Sequence, residues 1–487
     1  MLLNRDMSAP MHAPPPPAPA PAPTPAPSAP APRADAALRA AGRRRSRMTR
    51  LLGAAAWASA VVAVLLWATS DAARVTGDGR ILIVLGIIAG LIGTDLILVM
   101  LVLAARVPLI DRLVGHDAAM ALHGRLGKPA LHLLLAHGAL LVVGYSLDSG
   151  EGIGPMVVAL WETTDVRLAI LGLGALVAVV VSSVIAVRRM LPYEAWHGVH
   201  LLSYAAVVLA VPHQLQQGQV LAETSWQRAY WIALYAIALG CIAVFRFGTP
   251  VLLSLRHRVV VDRVEPLGDD VVSLHLRGRM LDRLPARGGQ FLMWRFWGAG
   301  TWWHAHPLSL SAAPDGTGLR LTVRALGRGS GGLARLRPGT PVSFAGPYGV
   351  FTAASRTRPR IAVAAAGIGI TPVRAFLEDV SAPAGSVTIL LRARDARETH
   401  LWDEVIAWAA ARGHRVLTSV GSRGSGPGAW LADEQAGQGH RIATVFPDLD
   451  GSDLYVCGPA RWADLVEADA RAAGLPRAQL HRERFSW

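Results

Sequence analysis

Cysteine is nearly absent: Cys241 and Cys457 are the only two in 487 residues, and they lie far apart. That excludes a disulfide framework, and it excludes a protein-borne iron–sulfur cluster, which needs about four thiolates. No Cys-x-x-Cys-His run occurs, so covalent haem attachment is excluded too. Charged residues are also scarce, at 17% against about 25% in soluble proteins, whereas hydrophobic residues reach 52% and mean hydropathy is +0.35. That apolar excess needs a membrane, and it lies almost entirely between Leu51 and Phe247. The net charge of +14 does not point to nucleic acid, because the arginines are scattered and several cluster where a membrane topology needs them. No secretory signal peptide precedes the first apolar segment, which is therefore expected to stay in place as a span.

Residues 9–33 are nearly all Pro and Ala, and residues 1–48 read as a disordered cytosolic tail. Residues 49–250 then hold six apolar stretches near the ~20 residues a bilayer requires: Leu51–Ser70, Ile81–Val107, Pro129–Leu147, Val166–Val187, Val199–Leu215 and Ala229–Phe247. Arg43, Arg44, Arg45, Arg47 and Arg50 precede the first. Arg106, Arg112, Arg125 and Lys128 join the second to the third, Arg188 and Arg189 the fourth to the fifth, and Arg246 and Arg256 follow the sixth. The opposite side carries Asp148, Glu151, Glu162 and Asp165. Positive connections on one side place both termini in the cytosol, in a multi-pass plasma-membrane protein surrounded by lipid. Beyond Leu255 short β-type runs (Val259–Val264, Val271–Leu276, Leu319–Val323) suggest a small antiparallel barrel over 253–356. Over 357–487, strands such as Ile361–Ala365, Val387–Leu391 and Leu454–Cys457 alternate with Ala-rich helical stretches, as in a parallel α/β nucleotide-binding domain. The expected fold is thus a six-helix transmembrane bundle, then an antiparallel β-barrel, then an α/β domain.

Ionisable residues inside membrane helices are functional candidates. The third span opens at His123 and carries His137 fourteen residues later. Fourteen residues return a helix to within about 40° of its starting face and rise about 21 Å. The fifth begins at His200 and carries His213. Thirteen residues leave an ideal helix about 140° off, and His197, the rival lower ligand, misses by about 160°. Pro212, directly before His213, can supply a kink. Histidines also bridge membrane helices as structural polar groups, but four at matched depth on two helices suit the clamping of two stacked haems. His132, nine residues from His123, points to the opposite face and reads as structural.

The run His123-Gly-Arg-Leu-Gly through His137, with Trp196-His-Gly-Val-His200 through His213, resembles the ferric-reductase-type transmembrane domain shared with NADPH oxidases. The resemblance favours His200 over His197, and it implies two b-type haems: an inner one on His123 and His200, an outer one on His137 and His213.

In the soluble half, His306-Pro307-Leu-Ser309-Leu-Ser311 is similar to the flavin-binding strand of ferredoxin-reductase-type domains. Ser309 is the candidate hydroxyl beside the flavin ring. Val323-Arg324-Ala-Leu-Gly327-Arg-Gly329-Ser330 joins a strand end to a Gly-rich turn, where Arg324, Ser330 and bare amides suit the FAD pyrophosphate. Gly346-Pro-Tyr348-Gly349 then ends the barrel, as in the family. A strand runs into Gly367-Ile-Gly369-Ile-Thr371-Pro372, with glycines for close approach, Thr371 to cap a helix and Pro372 in its first turn. Such a helix start suits a nucleotide pyrophosphate. Arg392 and Arg394 end the next strand, where they suit the 2′-phosphate of NADPH rather than NADH. Cys457-Gly458-Pro459 ends another, where the resemblance places a cysteine beside the nicotinamide. Phe485 and Trp487 resemble the aromatic end that covers the flavin in relatives, and the sequence does not choose between them.

The cofactors' chemistry orders the chain: NADPH gives two electrons as hydride, haem takes one, and FAD handles both. The expected function is a flavohaem oxidoreductase passing electrons to an extracytoplasmic one-electron acceptor, most simply a ferric or cupric chelate. The alternatives are a superoxide-generating NADPH oxidase and a non-catalytic six-helix transporter or scaffold. Oxidases of the superfamily carry a further histidine four residues beyond the outer ligand. Here that position is Leu141, and the outer carboxylates suit a cationic acceptor.

Overall fold

The computed structural model describes residues 32–69, 77–188, 190–191, 193–216, 226–298, 300–325, 328–426 and 428–483. Six helices there are long and apolar enough to cross a membrane. They lie within α1 (Pro32–Ala68), α2 (Arg80–Ala104), α3 (His116–Ser149), α4 (Thr164–Ser183), α5 (Tyr193–Gln216) and α6 (Trp226–Cys241). The last continues through a π-helical stretch, Ile242–Gly248, into α7 (Thr249–His257). Helix α1 begins at Pro32, so residues 32–48, given to the tail by composition, are helical. Their alanines and arginines are strong helix formers.

Two tight helix pairs organise the bundle. Helix α2 lies along α3 because Gly90 and its glycine neighbours leave a flat stripe: a Cβ on Gly90 would stand 2.5 Å from His137 Nδ1. Helix α4 lies along α5 in the same way, with a Gly172 Cβ placed 2.8 Å from the Ala206 carbonyl. Small residues let membrane helices gain dispersion contact where lipid offers no hydrophobic drive. Helices α3 and α5 are not a closely packed pair, and histidine side chains face one another across the space between them. Polar clasps fix the remaining helices. Ser59 donates to Asp95 Oδ1 at 2.6 Å and lies 3.1 Å from the Tyr230 hydroxyl, and Tyr235 donates to Gln214 at 2.6 Å.

The soluble half opens with two three-stranded antiparallel sheets. One has the order β1 (Val260–Pro266), β2 (Val271–Arg277), β5 (Leu319–Arg324). The other runs β4 (His306–Ser309), β3 (Phe291–Phe296), β6 (Val342–Tyr348). Their edges meet through single bridges, Leu310 to Leu321 and Val260 to Pro341, so the expected barrel is split rather than closed by continuous ladders. Pro341 has no N–H to extend one of those edges. Trp294, Phe296, Leu292 and Leu321 fill the space between the sheets at 0% exposure.

The α/β domain is a five-stranded parallel sheet, order β11 (Leu480–Glu483), β10 (Ser452–Cys457), β7 (Arg360–Ala366), β8 (Val387–Ala393), β9 (Arg415–Val420). Strand β7 shows the period of two: Ile361, Val363 and Ala365 join one core, Ala362, Ala364 and Ala366 the other. The chain leaves β7 towards β8 on one side and returns to β10 on the other, so the switch in strand order falls between β7 and β10. Helix α8 (Ile370–Asp379) follows β7 and faces the first sheets. Its Arg374 donates to the Ser311 carbonyl at 2.9 Å and to Glu404 at 2.5 Å, Arg320 pairs with Glu404 at 2.9 Å, and Glu378 accepts from the Ala313 amide at 2.7 Å. This network seats the α/β domain on the split barrel.

Candidate functional site

Four histidines face one another across the gap between α3 and α5. The His123 and His200 ring centroids are 6.1 Å apart, and those of His137 and His213 are 6.2 Å apart. Two imidazoles bound to one metal at about 2 Å each on opposite sides, with each centroid about 1.1 Å behind its nitrogen, would be separated by about 6.2 Å. Both pairs therefore have the spacing of rings that share a metal. Despite the thirteen-residue spacing, both α5 rings lie opposite their α3 counterparts. His200, not His197, is the partner of His123, and His132 is on an exposed face of α3.

Three of the four rings are held by their other nitrogen. His123 Nδ1 lies 3.1 Å from the Met100 carbonyl, and His137 Nδ1 lies 2.9 Å from the Gly86 carbonyl. His200 Nδ1 is 3.5 Å from Ser183 Oγ, which also accepts from Trp196 Nε1 at 3.3 Å. A carbonyl can only accept, so His123 and His137 carry their proton on Nδ1 and leave Nε2 for a metal, the usual arrangement of ligating histidines. Nδ1 of His213 is buried without a partner.

Helix α3 begins against the soluble half. His116, seven residues before His123, has its ring 5.5 Å from Tyr348 and 6.2 Å from Phe291, and the Arg106 guanidinium lies 4.9 Å over the Tyr348 ring. A cavity of about 200 Å³ opens here, lined by Arg106, Asp111, Gln290, Gly346, Tyr348 and Gly349 among others. The end of the split barrel thus abuts the helix that carries His123.

Ser309 lies at the end of β4, 3% exposed, with its hydroxyl unpartnered. A buried hydroxyl without a partner is costly, and a flavin ring edge would satisfy it. On the same strand, burial and then the charges of His304 and Arg295 push the His306 pKa down to about 4, and its Nε2 also lacks a partner. Pro307 pairs with Met293 across the sheet. Ser311 is engaged differently: its Oγ accepts from Thr322 at 2.9 Å and from Arg320 at 3.3 Å. Arg324, the residue expected at the FAD pyrophosphate, donates to Asp270 at 2.6 Å and to Glu398 at 3.0 Å. Gly329 and Ser330 lie in the short turn Arg328–Gly331 that follows. Gly327, Phe485 and Trp487 lie outside the described residues.

The nucleotide motifs converge at the switch between β7 and β10, where open α/β sheets bind ligands at their carboxyl ends. Gly367 adopts φ +54° with open space where a Cβ would stand, while a Cβ on Gly369 would lie 2.4 Å from the Cys457 carbonyl. The first glycine leaves a cradle for a phosphate, and the second lets the loop touch Cys457 and Gly458. Pro459 is the exposed residue that leads into the next helix. Thr371 does not cap its helix: a 3₁₀ turn, Gly367–Gly369, starts the helix early, and the Thr371 hydroxyl donates to the Ile368 carbonyl at 3.1 Å. Pro372 follows in the first turn. Arg392 is 4% exposed, with its guanidinium donating to the carbonyls of Ala393, Ser419 and Gly421. Arg394 is exposed, and so is Arg423, within electrostatic reach of the same position.

Cys457 is fully buried, and burial followed by the nearby Glu483 raises its thiol well above the ordinary value, so it is neutral. Glu483 was missed from sequence. It pairs with Cys457 across β10 and β11, is 4% exposed, and brings a carboxylate oxygen to 3.2 Å from where a Gly349 side chain would stand.

Residues 89–211 match the family described as ferric reductase like transmembrane component. The chain is 32% identical over 190 residues to ferredoxin–NADP reductase B of Sorangium cellulosum, covering 36% of this chain and 76% of that protein. It is 26% identical over 323 residues to a flavohemoprotein of Xylella fastidiosa, covering 62% and 78%. Among solved structures it is similar to the FAD/NAD-binding domain of nitric oxide dioxygenase from Vibrio cholerae, at 25% identity and a TM-score of 0.39, over 47% of this chain and 98% of that one.

Proposed function

Since the chain belongs to the ferredoxin–NADP reductase family through its soluble half, and joins that half to a ferric-reductase-like transmembrane component, it is a multi-pass membrane NAD(P)H oxidoreductase of the flavoprotein class, and we propose that it carries electrons from cytosolic NADPH through FAD and two b-type haems to a ferric or cupric chelate outside the plasma membrane. The observation that carries the haem reading is the pair of imidazole pairs at metal-bridging separation. When bound, FAD would supply the conversion of a two-electron hydride into single electrons, and the haems would supply one-electron carriers.

The residues have separable tasks. The open loop at Gly367 and the helix start behind it hold the nucleotide pyrophosphate. Arg394, with Arg423 beside it, takes the 2′-phosphate in place of the buried Arg392. The Ser309 hydroxyl holds the flavin edge, and the neutral Cys457 with Glu483 lines the nicotinamide end. Tyr348 and Phe291 against His116 set the separation between the flavin domain and the inner histidines. His123 and His200 hold the inner haem, His137 and His213 the outer. Leu141, packed towards Gly86 of α2, leaves the outer side without a histidine to retain oxygen, which favours a metal chelate as acceptor. The arginine-bearing connections and both termini face the cytosol, and the functional division falls at 49–250, 253–356 and 357–487.

The test is the purified chain in nanodiscs. Pyridine haemochrome should give about two b-type haems per chain, and anaerobic NADPH should reduce FAD and then both haems. In air, saturating ferric chelate should take most of the electron flux. Superoxide accounting for most of the NADPH, with no share diverted by chelate, identifies an oxidase instead.

A further inference from the structure

Asp165 belongs by sequence to the outer carboxylates, yet it behaves unlike the others. Asp148, Glu151 and Glu162 are exposed, whereas Asp165, in the first turn of α4, is 7% exposed and its Oδ2 has no partner. Among the described residues of α4 and α5, two buried side-chain polar atoms lack a partner: this oxygen and His213 Nδ1.

Helix register brings the two together. Helices α4 and α5 run antiparallel, since Ser183 meets His200 near one end and Gly172 meets Ala206 further along. Seven residues make about two helical turns and return to nearly the same face. Counting seven back from Gly172 gives Asp165, and seven on from Ala206 gives His213, so both lie on the facing sides of the pair at the same level. The Asp165 charge also acts on the His213 ring. The other three histidines already have an acceptor for Nδ1, and in each case it is neutral.

We infer that Asp165 is the positioning carboxylate of His213, accepting the imidazole Nδ1 proton directly or through one water and so orienting Nε2 towards the outer haem. This rests on the haem reading above. A carboxylate behind a ligating imidazole makes the ring a stronger donor and adds negative charge beside the metal. Both effects favour the ferric state, so the outer site is a stronger reductant than the same ligands with a neutral acceptor would give.

The test is redox titration of full-length protein in nanodiscs, following each haem by its optical and EPR signals. Asp165→Asn should shift the ferric–ferrous equilibrium of one haem at least tenfold towards ferrous, equivalent to 59 mV for one electron. The other haem should not move, and Asp165→Glu should restore the wild-type value. Loss of one haem in D165N that D165E restores also supports the pairing. Two haems at unchanged potentials in D165N, or a lost haem that D165E does not restore, overturns it. Absence of haem from the wild-type protein is a different result, and it overturns the haem reading itself.

Discussion

The two halves of the molecule use the same residue types in opposite ways. In the membrane half large apolar side chains face outward: Trp57 is 71% exposed, Ile81 73% and Leu85 49%. In the soluble half their counterparts fill cores, with Trp294 and Phe351 at 0% and Trp430 at 1%. Lipid thus removes the burial signal that organises a soluble core, because leaving a helix for the acyl chains costs an apolar side chain almost nothing. Specificity in the membrane half then falls to a few glycines and polar clasps, which set helix register. In the soluble half it falls to packing, which decides which strand ends and loops approach one another. One site is therefore a matter of period, the other of tertiary neighbours.

The strongest way to break this comparison is to fill one glycine in each half. Gly90→Val puts a side chain where His137 Nδ1 stands, so it should expel His137 and abolish the outer haem while NADPH still reduces FAD. Gly369→Val drives into the Cys457 carbonyl and should keep both haems while slowing hydride transfer by about 10²-fold or more, since misplacement of about 1 Å has that effect. Haem content and stopped-flow flavin reduction separate the two. If each variant damages both readouts equally, the halves are not independent and the comparison fails.

What was legible in the sequence follows the same divide. The fourteen-residue interval from His123 to His137 is a property of one helix, and the period gives it directly. The pairing with His200 needed the resemblance, because thirteen residues do not fit a tight seam and the width of the gap between α3 and α5 leaves no trace in either helix. In the soluble half the turns were legible, since Gly367 and Gly369 announce close approach whatever surrounds them. The surroundings of the arginines were not. Arg324 and Arg392 read as phosphate ligands from their place at strand ends. Asp270, Glu398 and the carbonyls of Ser419 and Gly421 accept from them here, and these come from distant segments. Glu483 was missed for the same reason, since only the parallel register of β10 with β11 brings it beside Cys457. Asp165 read as a loop carboxylate because burial at a helix end depends on the helix packed against it.

A smaller effect sharpens the contrast between packing and clasps. Asp453 is 0% exposed and accepts from the Thr357 amide at 2.7 Å, the Thr357 hydroxyl at 2.8 Å and the Arg358 amide at 2.7 Å, with His481 Nε2 at 3.1 Å. Asp453→Ala leaves those groups buried without an acceptor and should cost about 3–5 kcal/mol. Ser59→Ala, which removes one clasp on Asp95, should cost about 0.6–2 kcal/mol, the range of single polar contacts between membrane helices. Denaturation followed by flavin fluorescence for the first and by haem absorbance for the second gives both numbers. A larger loss for Ser59→Ala would show that the membrane half depends on its polar contacts more than the soluble half does.

The smallest effect concerns the coenzyme, where the two candidate arginines have different surroundings. Arg392 would have to give up its hydrogen bonds to three carbonyls to reach a 2′-phosphate. Arg394, just beyond the last residue of β8, is exposed. Arg423 is also exposed, in the loop after β9, the strand adjacent to β8. Two cations at neighbouring strand ends suit a dianionic phosphate, and a charge-assisted hydrogen bond to it contributes about 1.5–3 kcal/mol. Solvent screens an exposed site, so the lower end applies, which corresponds to about tenfold in kcat/KM per arginine. Arg394→Ala should therefore reduce the preference for NADPH over NADH about tenfold, by raising KM for NADPH with little change for NADH. Arg392→Ala should instead lower thermal stability and leave the ratio of the two coenzymes alone. Steady-state kinetics with both coenzymes on the two variants decides it. Equal kcat/KM for NADPH and NADH in the unmodified protein would mean that these arginines are simply solvated strand-end charges.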